Sequence, residues 1–311
     1  MDTLLIIDGN AIMHRAFHAI PPFKTKAGIP TNVIYGFLGM LHRSVEVFRP
    51  THIAICFDTP AKTFRQKMLE SYQAQRPELH DDFKEQIPLL KSLIATAGIY
   101  QSELDGLEAD DIIGTVAKTA KKHGIRTLIL TGDKDIMQLV NHHIFVVSPK
   151  MGLTEFKLYD EPEVEKKLGV KPSMIPDYKA LAGDPSDNYK GAEGIGPKTA
   201  VKLLMKYHTV ENLLNHSSEL EPKYRTIIER GKKQIELSKT IATIVTDAEI
   251  HFSLKDAEFH GFPDALREEF AKYEMRSLLE RFFGKTKKEK VEVQTKKSKK
   301  TEAHKDQIGM F

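Results

Sequence analysis

The sequence is poor in the features that would place it outside the cell or in a membrane. Cys56 is its one cysteine and sits in an apolar run, so no internal disulfide can form. That usage suits a reducing compartment, and a cytoplasmic protein is expected. Met1-Asp2-Thr3 carries no basic n-region, and the apolar run that follows, Leu4 to Ile7, is far too short to span a bilayer. Neither a signal peptide nor a membrane span is expected. An excess of one charge is also missing. The formal charge is +3, yet residues 284–311 hold nine lysines against four acids, which leaves 37 basic and 39 acidic residues before them. Any basic surface on the body must therefore be local.

What is present is a chain of 311 residues, enough for one large or two medium domains. Thr3 to Ile7 reads as a buried strand and ends in Asp8-Gly9-Asn10. Thr51 to Phe57 ends likewise in Asp58, and Thr127 to Thr131 ends in Gly132-Asp133-Lys134-Asp135, with His143 to Val147 as a further strand. Helical periodicity lies between them, at about Val33 to Phe48, Asp82 to Ala97 and Glu108 to Lys122. Strands alternating with helices imply an α/β domain with a mostly parallel sheet, which binds ligands at the carboxyl ends of its strands.

The chain is organised around Leu107-Glu108-Ala109-Asp110-Asp111, three carboxylates in four residues at a helix start. One or two acids there merely complement the helix dipole, and a single strand-terminal Asp is an ordinary turn former or cap. Three of each is excessive for those purposes. Carboxylates crowded this closely repel unless a cation or protons intervene. Hard oxygen donors without ordered His or Cys spacing select Mg²⁺ or Mn²⁺ over zinc. Two such ions roughly 4 Å apart can activate water against a phosphodiester.

Residues 59–88 form a long polar connection with Lys62, Arg65, Lys67 and Arg76 interleaved with Phe64 and Tyr72. It is either a solvated excursion or a place where phosphates meet cations and bases stack on rings. Beyond Tyr159 the pattern is helical: Met174 to Ala182, a helix to about Lys206, then Val210 to Leu214, Lys223 to Gly231, Gln234 to Val245 and Pro263 to Phe283. Gly183-Asp184-Pro185-Ser186-Asp187-Asn188 alone is an ordinary turn. Gly191-Ala192-Glu193-Gly194-Ile195-Gly196-Pro197-Lys198-Thr199-Ala200 has one residue too many for a nucleotide P-loop. Its glycines and the free N–H groups of the following helix suit a sequence-independent grip on a phosphate backbone. From Gly284 the chain turns Lys-rich and aperiodic, as a disordered tail does, yet it ends in the apolar Gln307-Ile308-Gly309-Met310-Phe311.

Read together, Leu4-Leu5-Ile6-Ile7-Asp8-Gly9, Tyr35-Gly36-Phe37, Phe57-Asp58, Phe64-Arg65, Glu108-Ala109-Asp110-Asp111, Gly132-Asp133-Lys134-Asp135, Gly183 to Asn188 and Gly194 to Ala200 make the chain, up to about residue 283, resemble the 5′-nuclease module of bacterial DNA polymerase I, in the flap endonuclease superfamily. The resemblance implies a PIN-like α/β nuclease domain over 1–160, with a helical arch at about 59–88. An all-α helix-three-turn-helix domain would follow over 161–283, and a tail over 284–311. It implies one metal cluster on Asp8, Asp58, Glu108, Asp110 and Asp111, and a second on Asp133, Asp135, Asp184 and Asp187. Gly194, Ile195, Gly196, Lys198 and Thr199 would hold duplex DNA, with a monovalent cation at that turn, and Phe64 and Tyr72 would also touch DNA. The family's arch pattern Tyr-Lys-x-x-Arg is broken here, because Gln73 follows Tyr72 while Arg76 is kept. Either Arg65 or Lys67 takes the place of the missing lysine at the scissile phosphate, or turnover is slow. Gln307, Ile308, Met310 and Phe311 resemble the peptide by which bacterial replication proteins dock on the sliding clamp.

The implied activity is that of a stand-alone, Mg²⁺-dependent 5′-3′ exonuclease and flap endonuclease acting on DNA flaps, 5′ ends and RNA primers in replication and repair. Nothing points to an obligate dimer. A PIN-type ribonuclease and a non-catalytic DNA-junction binder are the alternatives.

Overall fold

A computed structural model describes residues 2–150 and 155–284. The central sheet has six strands: β1 (Thr3–Asp8), β2 (His52–Cys56), β3 (Tyr100–Ser102), β4 (Arg126–Leu130), β5 (Ile144–Pro149) and β6 (Phe156–Tyr159). Their order across the sheet is β3-β2-β1-β4-β5-β6, and only β6 is antiparallel to its neighbour. The chain runs outward from β1 to β3 and then crosses back to β4, so the connections diverge on either side of β1. In such a sheet that divergence leaves a crevice at the carboxyl ends of the strands.

Side-chain alternation explains why both faces are covered. Leu4 and Ile6 of β1 point to one face, where Ile112, Ile113 and Val116 of helix Ala109–Lys122 cover them. Leu5 and Ile7 point to the other, against Val33, Phe37 and Leu41 of helix Asn32–Phe48. Parallel strands buried on both sides read as continuous apolar runs, as these do.

Several elements differ from the sequence expectations. Helix Gly9–Ala19 follows β1 directly, capped by Asp8, and was hidden by its mixture of Asn, His and Arg with small apolar residues. Strands β3 and β6 are too short, at three and four residues, to give a pattern. The two helices expected over 223–245 are one, Pro222–Ala242, running through Gly231. Ile228 and Ile235, both fully buried two turns apart, outweigh the roughly 1 kcal/mol that a helical glycine costs. Conversely, the run to Phe283 breaks into Ala265–Lys272 and Arg276–Phe283 around Glu274, whose φ is +57°.

The largest difference concerns the second domain. Helices Ile175–Ala182, Pro197–Tyr207, Val210–Asn215 and Pro222–Ala242 do form an all-helical module. After Ala242 the chain returns to the α/β domain: Phe259 N–H donates to Thr51 O at 2.8 Å, and Leu266, Phe270 and Leu278 enter the same cluster as Leu5 and Ile7. Amphipathic faces on the last two helices find their apolar partner on the sheet side, not on the module.

Candidate active site

The three central strands, β2, β1 and β4, each deliver an acid to the crevice. Asp8, the last residue of β1, is 4% exposed; its Oδ1 accepts from Ala11 N–H at 2.9 Å, and its Oδ2 from the Thr131 hydroxyl at 2.6 Å. Asp58 follows β2, and its Oδ1 accepts from Ala109 N–H at 2.7 Å, tying it to the start of helix Ala109–Lys122. Asp133 follows β4 and its Oδ1 accepts from Asp135 N–H at 2.8 Å. Glu108 is the cap of the helix and Asp110 lies in its first turn. Asp8, Asp58, Glu108, Asp110, Asp133, Asp135 and Asp187 line one open cleft of about 390 Å³.

The electrostatics of this cleft are those of carboxylates short of positive charge. Burial, with the nearby Asp133 and Asp58, pushes Asp8 up to about 7 despite its hydrogen bonds. Burial likewise lifts Glu108 to about 7, with Arg65 pulling the other way, and raises Asp58 and, further still, Asp110. Among the described residues no cation is hydrogen-bonded to Asp8, Asp58 or Asp110. An all-oxygen set left this way fits a hard divalent cation, whose charge would supply what the protein does not.

A second acidic group lies beside the first. Oxygens of Asp135, Asp184 and Asp187 fall within 4.8 Å of one another, the one trio of acids so placed among the described residues, and that spacing could hold a metal ion. Here the protein does supply cations. Lys179 donates to both Asp135 and Asp184, and Arg76 meets Asp187 at 2.8 Å. Burial still lifts Asp135 to about 6, whereas for Asp184 the pull of Lys179 and Ser186 overcomes burial and leaves it below its ordinary value. The loop carrying Asp184 and Asp187 closes on itself through Asp184 N–H to Tyr189 O at 2.9 Å. It needs glycine at its base: a Cβ on Gly191 would lie 2.2 Å from Leu181 O.

Four expected site residues are placed otherwise. Asp111 is fully buried and faces away from the cleft, because Arg65 grips it with two bonds, at 2.7 and 2.8 Å, while Val245 N–H takes a third at 2.9 Å. It is an anchor for Arg65 and not a metal ligand. Arg65 in turn is 2% exposed; it also donates to Ile241 O at 2.8 Å and Thr243 O at 2.9 Å, which leaves it no freedom to hold a phosphate. Tyr72 does not offer its ring to a base. It is buried against Tyr189, Ile241 and Ala242, with its hydroxyl 3.3 Å from Glu108. Ile195 packs in the core under the glycine turn and so is no surface contact.

The remainder fall where a ligand could reach them or close by. Lys67, Lys198, Gly194 and Gly196 are exposed, Thr199 is half-buried, and Phe64 is half-buried with the Arg65 guanidinium 4.5 Å from its ring. Asp184 pairs with Lys179 behind the cleft. Gln73 is not idle: its amide donates to Asp187 at 3.0 Å and its N–H to Asp187 O at 3.0 Å, so the turn at 71–76 is fastened across the second acidic group. Gln307, Ile308, Met310 and Phe311 lie outside the described residues.

Sequence reasoning passed over Asn10 and His14, which line the cleft from helix Gly9–Ala19. Their spacing of four, immediately after a strand-terminal Asp, is the signal that would have found them. Thr131 carried no local signal, since Asp8 is distant in sequence, and for Lys179 only the nearer of its two partners, Asp184, lies within reach of a local pattern.

A parallel sheet that gathers uncompensated acids at its switch point, joined to a helical module with a glycine-rich turn, defines the class of acid-centred nucleases. Profiles of the 5′-3′ exonuclease N-terminal resolvase-like domain and of its C-terminal SAM fold match residues 3–169 and 170–265. The chain belongs to the 5′-3′ exonuclease family. It is 41% identical over 282 residues to a 5′-3′ exonuclease of Aquifex aeolicus, covering 90% of this chain and 94% of that one. It is 39% identical to DNA polymerase I of Bacillus subtilis over 83% of this chain but only 30% of that polymerase. Among solved structures, T5 5′-exonuclease with bound zinc superposes with a TM-score of 0.65 at 20% identity, over 89% of this chain and 98% of that one. The catalytic core of Rad2 in complex with DNA gives 0.55 at 14% identity, over 94% and 91%. No described helix is long and apolar enough to cross a membrane.

Proposed function

We propose that this nuclease is divalent-cation-dependent, using Mg²⁺ with Mn²⁺ as a substitute, and that it hydrolyses phosphodiesters at 5′ flaps and 5′ ends of DNA, RNA primers included. The observation that carries the reading is the first acidic group: Asp8, Asp58 and Asp110 at the carboxyl edge of the sheet, with no cation among the described residues bonded to them. Cations held by those residues and Glu108 would polarise a phosphate oxygen and make water a nucleophile at neutral pH. The protein's own part is to orient and exclude. Thr131 and Ala11 fix the two oxygens of Asp8, and Ala109 N–H fixes Asp58, so the donors are set before substrate arrives.

The family of the chain and the T5 and Rad2 folds support a 5′-directed action on DNA. In that role exposed Lys198, at the first turn of helix Pro197–Tyr207, with Gly194, Gly196 and Thr199 would hold the duplex backbone, a monovalent cation included. Lys67 and Arg76 would meet the phosphates of the cut strand, Arg76 only after leaving Asp187. The test is cleavage of an end-labelled 5′-flap duplex with and without Mg²⁺, beside a single-stranded RNA of the same length. Metal-dependent cutting of the flap with the RNA intact is expected. Preferential RNA cutting would make this a ribonuclease, and junction binding without product would make it a binder.

The peptide Gln307 to Phe311, on a Lys-rich tether, would dock on a bacterial sliding clamp through Ile308, Met310 and Phe311. Deleting these five residues should abolish retention on immobilised clamp. Unchanged retention would refute the docking.

A further inference from the structure

The two acidic groups differ in one respect that bears on how cations load. Lys179, on helix Ile175–Ala182, reaches back with its side chain 12% exposed and donates to Asp135 and to Asp184, the two acids it lies between. Those carboxylates and Asp187 are near enough to share one ion. A divalent cation seated among them would compete with the Lys179 ammonium for the charge of the same carboxylates. Nothing comparable is bonded to Asp8, Asp58 or Asp110 among the described residues.

We propose that Lys179 is the resident cation of the second acidic group, so that a divalent ion enters there only by exchange with its ammonium. The proposal rests on the metal-dependent reading above and adds an order of loading to it. The first group has no such ammonium to displace. The second holds its ion weakly until something draws Lys179 away. A substrate phosphate is the natural competitor, since it offers the ammonium charge-assisted hydrogen bonds in place of the two carboxylates. Lysine suits exchange better than arginine, being a point charge on a flexible four-carbon stem with no fixed fork to break. Asp187 repeats the arrangement more loosely, with Arg76 at 2.8 Å on a side chain 56% exposed. Lys179 is thus a positioning residue, acting on the reaction through the ion it admits.

The test counts Mn²⁺ by electron paramagnetic resonance on the DNA-free protein, wild type against Lys179→Met and Lys179→Arg. Wild type should bind one ion tightly and a second weakly. Removing the competing ammonium should tighten the second ion by about tenfold, within the usual range of coupling between two sites, and Lys179→Arg should not. A merely structural lysine predicts no such change. Thermal midpoints serve as the second readout: Lys179→Met should be less stable than wild type in chelator, and should gain more from Mn²⁺ than wild type does. If the Met variant does not fold in chelator, Lys179→Gln, which keeps one hydrogen bond, takes its place. Equal affinities for the second ion in wild type and variant would overturn the proposal. No tight ion in wild type would instead overturn the metal-dependent reading itself.

Discussion

The first and second acidic groups lie side by side, yet they meet the problem of crowded carboxylates in opposite ways. Asp8, Asp58 and Asp110 have no cation bonded to them among the described residues, and burial raises all three, Asp8 to about 7. Asp135, Asp184 and Asp187 recruit Lys179 and Arg76 from elsewhere in the chain. The first group stores electrostatic strain that a cation can relieve, whereas the second is already near neutrality. An acidic cluster therefore does not by itself tell how readily it takes a metal; the presence or absence of an internal counter-ion does.

The comparison can be broken at its boundary, which is Arg65. Among the described residues Arg65 is the one cation paired with the first group, 3.1 Å from Glu108, while both of its terminal nitrogens bind fully buried Asp111. Arg65→Met strands that carboxylate and should destabilise the protein by about 3–5 kcal/mol, read from urea unfolding. A loss below 1 kcal/mol would show that Arg65 is not a structural tie.

Asp110→Asn tests the uncompensated group directly. Flap cleavage should fall by about 10²–10³-fold, the scale of losing a charge-stabilising group at a reacting centre. DNA binding measured by fluorescence anisotropy should be largely kept.

A third test uses pH. Asp8 and Glu108 rise from their ordinary 3.8 and 4.5 to about 7, so between those values the native state binds more protons than the unfolded chain does. Their stabilising effect is complete below about pH 4 and is lost as pH climbs through 7. In chelator, stability attributable to these groups should drop by roughly 2–4 kcal/mol from pH 5 to pH 8, and Mn²⁺ should flatten the slope. A midpoint that rises over that window in chelator would contradict the picture.

The smallest effects should differ in sign. Asp58→Asn keeps the bond from Ala109 N–H but removes a repelling charge, and should stabilise the metal-free protein by about 1 kcal/mol. Asp187→Asn weakens the pairing with Arg76 and should cost about 1 kcal/mol or less. Equal signs would erase the distinction between the groups.

The sequence made the sheet edge legible because Asp8, Asp58 and Asp133 each follow a β-branched apolar run, a local pattern. The family resemblance put Asp111 in the metal cluster, and the cap of the helix shows why it lies elsewhere. Glu108 is extended, with φ −99° and ψ 159°, so it does not share a helical face with Asp111, which turns inward. Tyr72 and Lys179 were illegible for another reason. Tyr72 is surrounded by Tyr189 and Ile241, and Lys179 bridges nearby Asp184 to Asp135, 44 positions away; local periodicity carries no information on the distant partners. The family resemblance supplied the second acidic group, which by spacing alone was only a turn.

The path of the chain after Ala242 bears on biosynthesis. Phe270 and Leu278 close the sheet face that Leu5 and Ile7 opened, so a ribosome must extend the chain past Leu278 before that core is sealed. The catalytic half is thus completed after the helical module, and a nascent fragment that already carries every acid named above still lacks part of the scaffold that holds them in place.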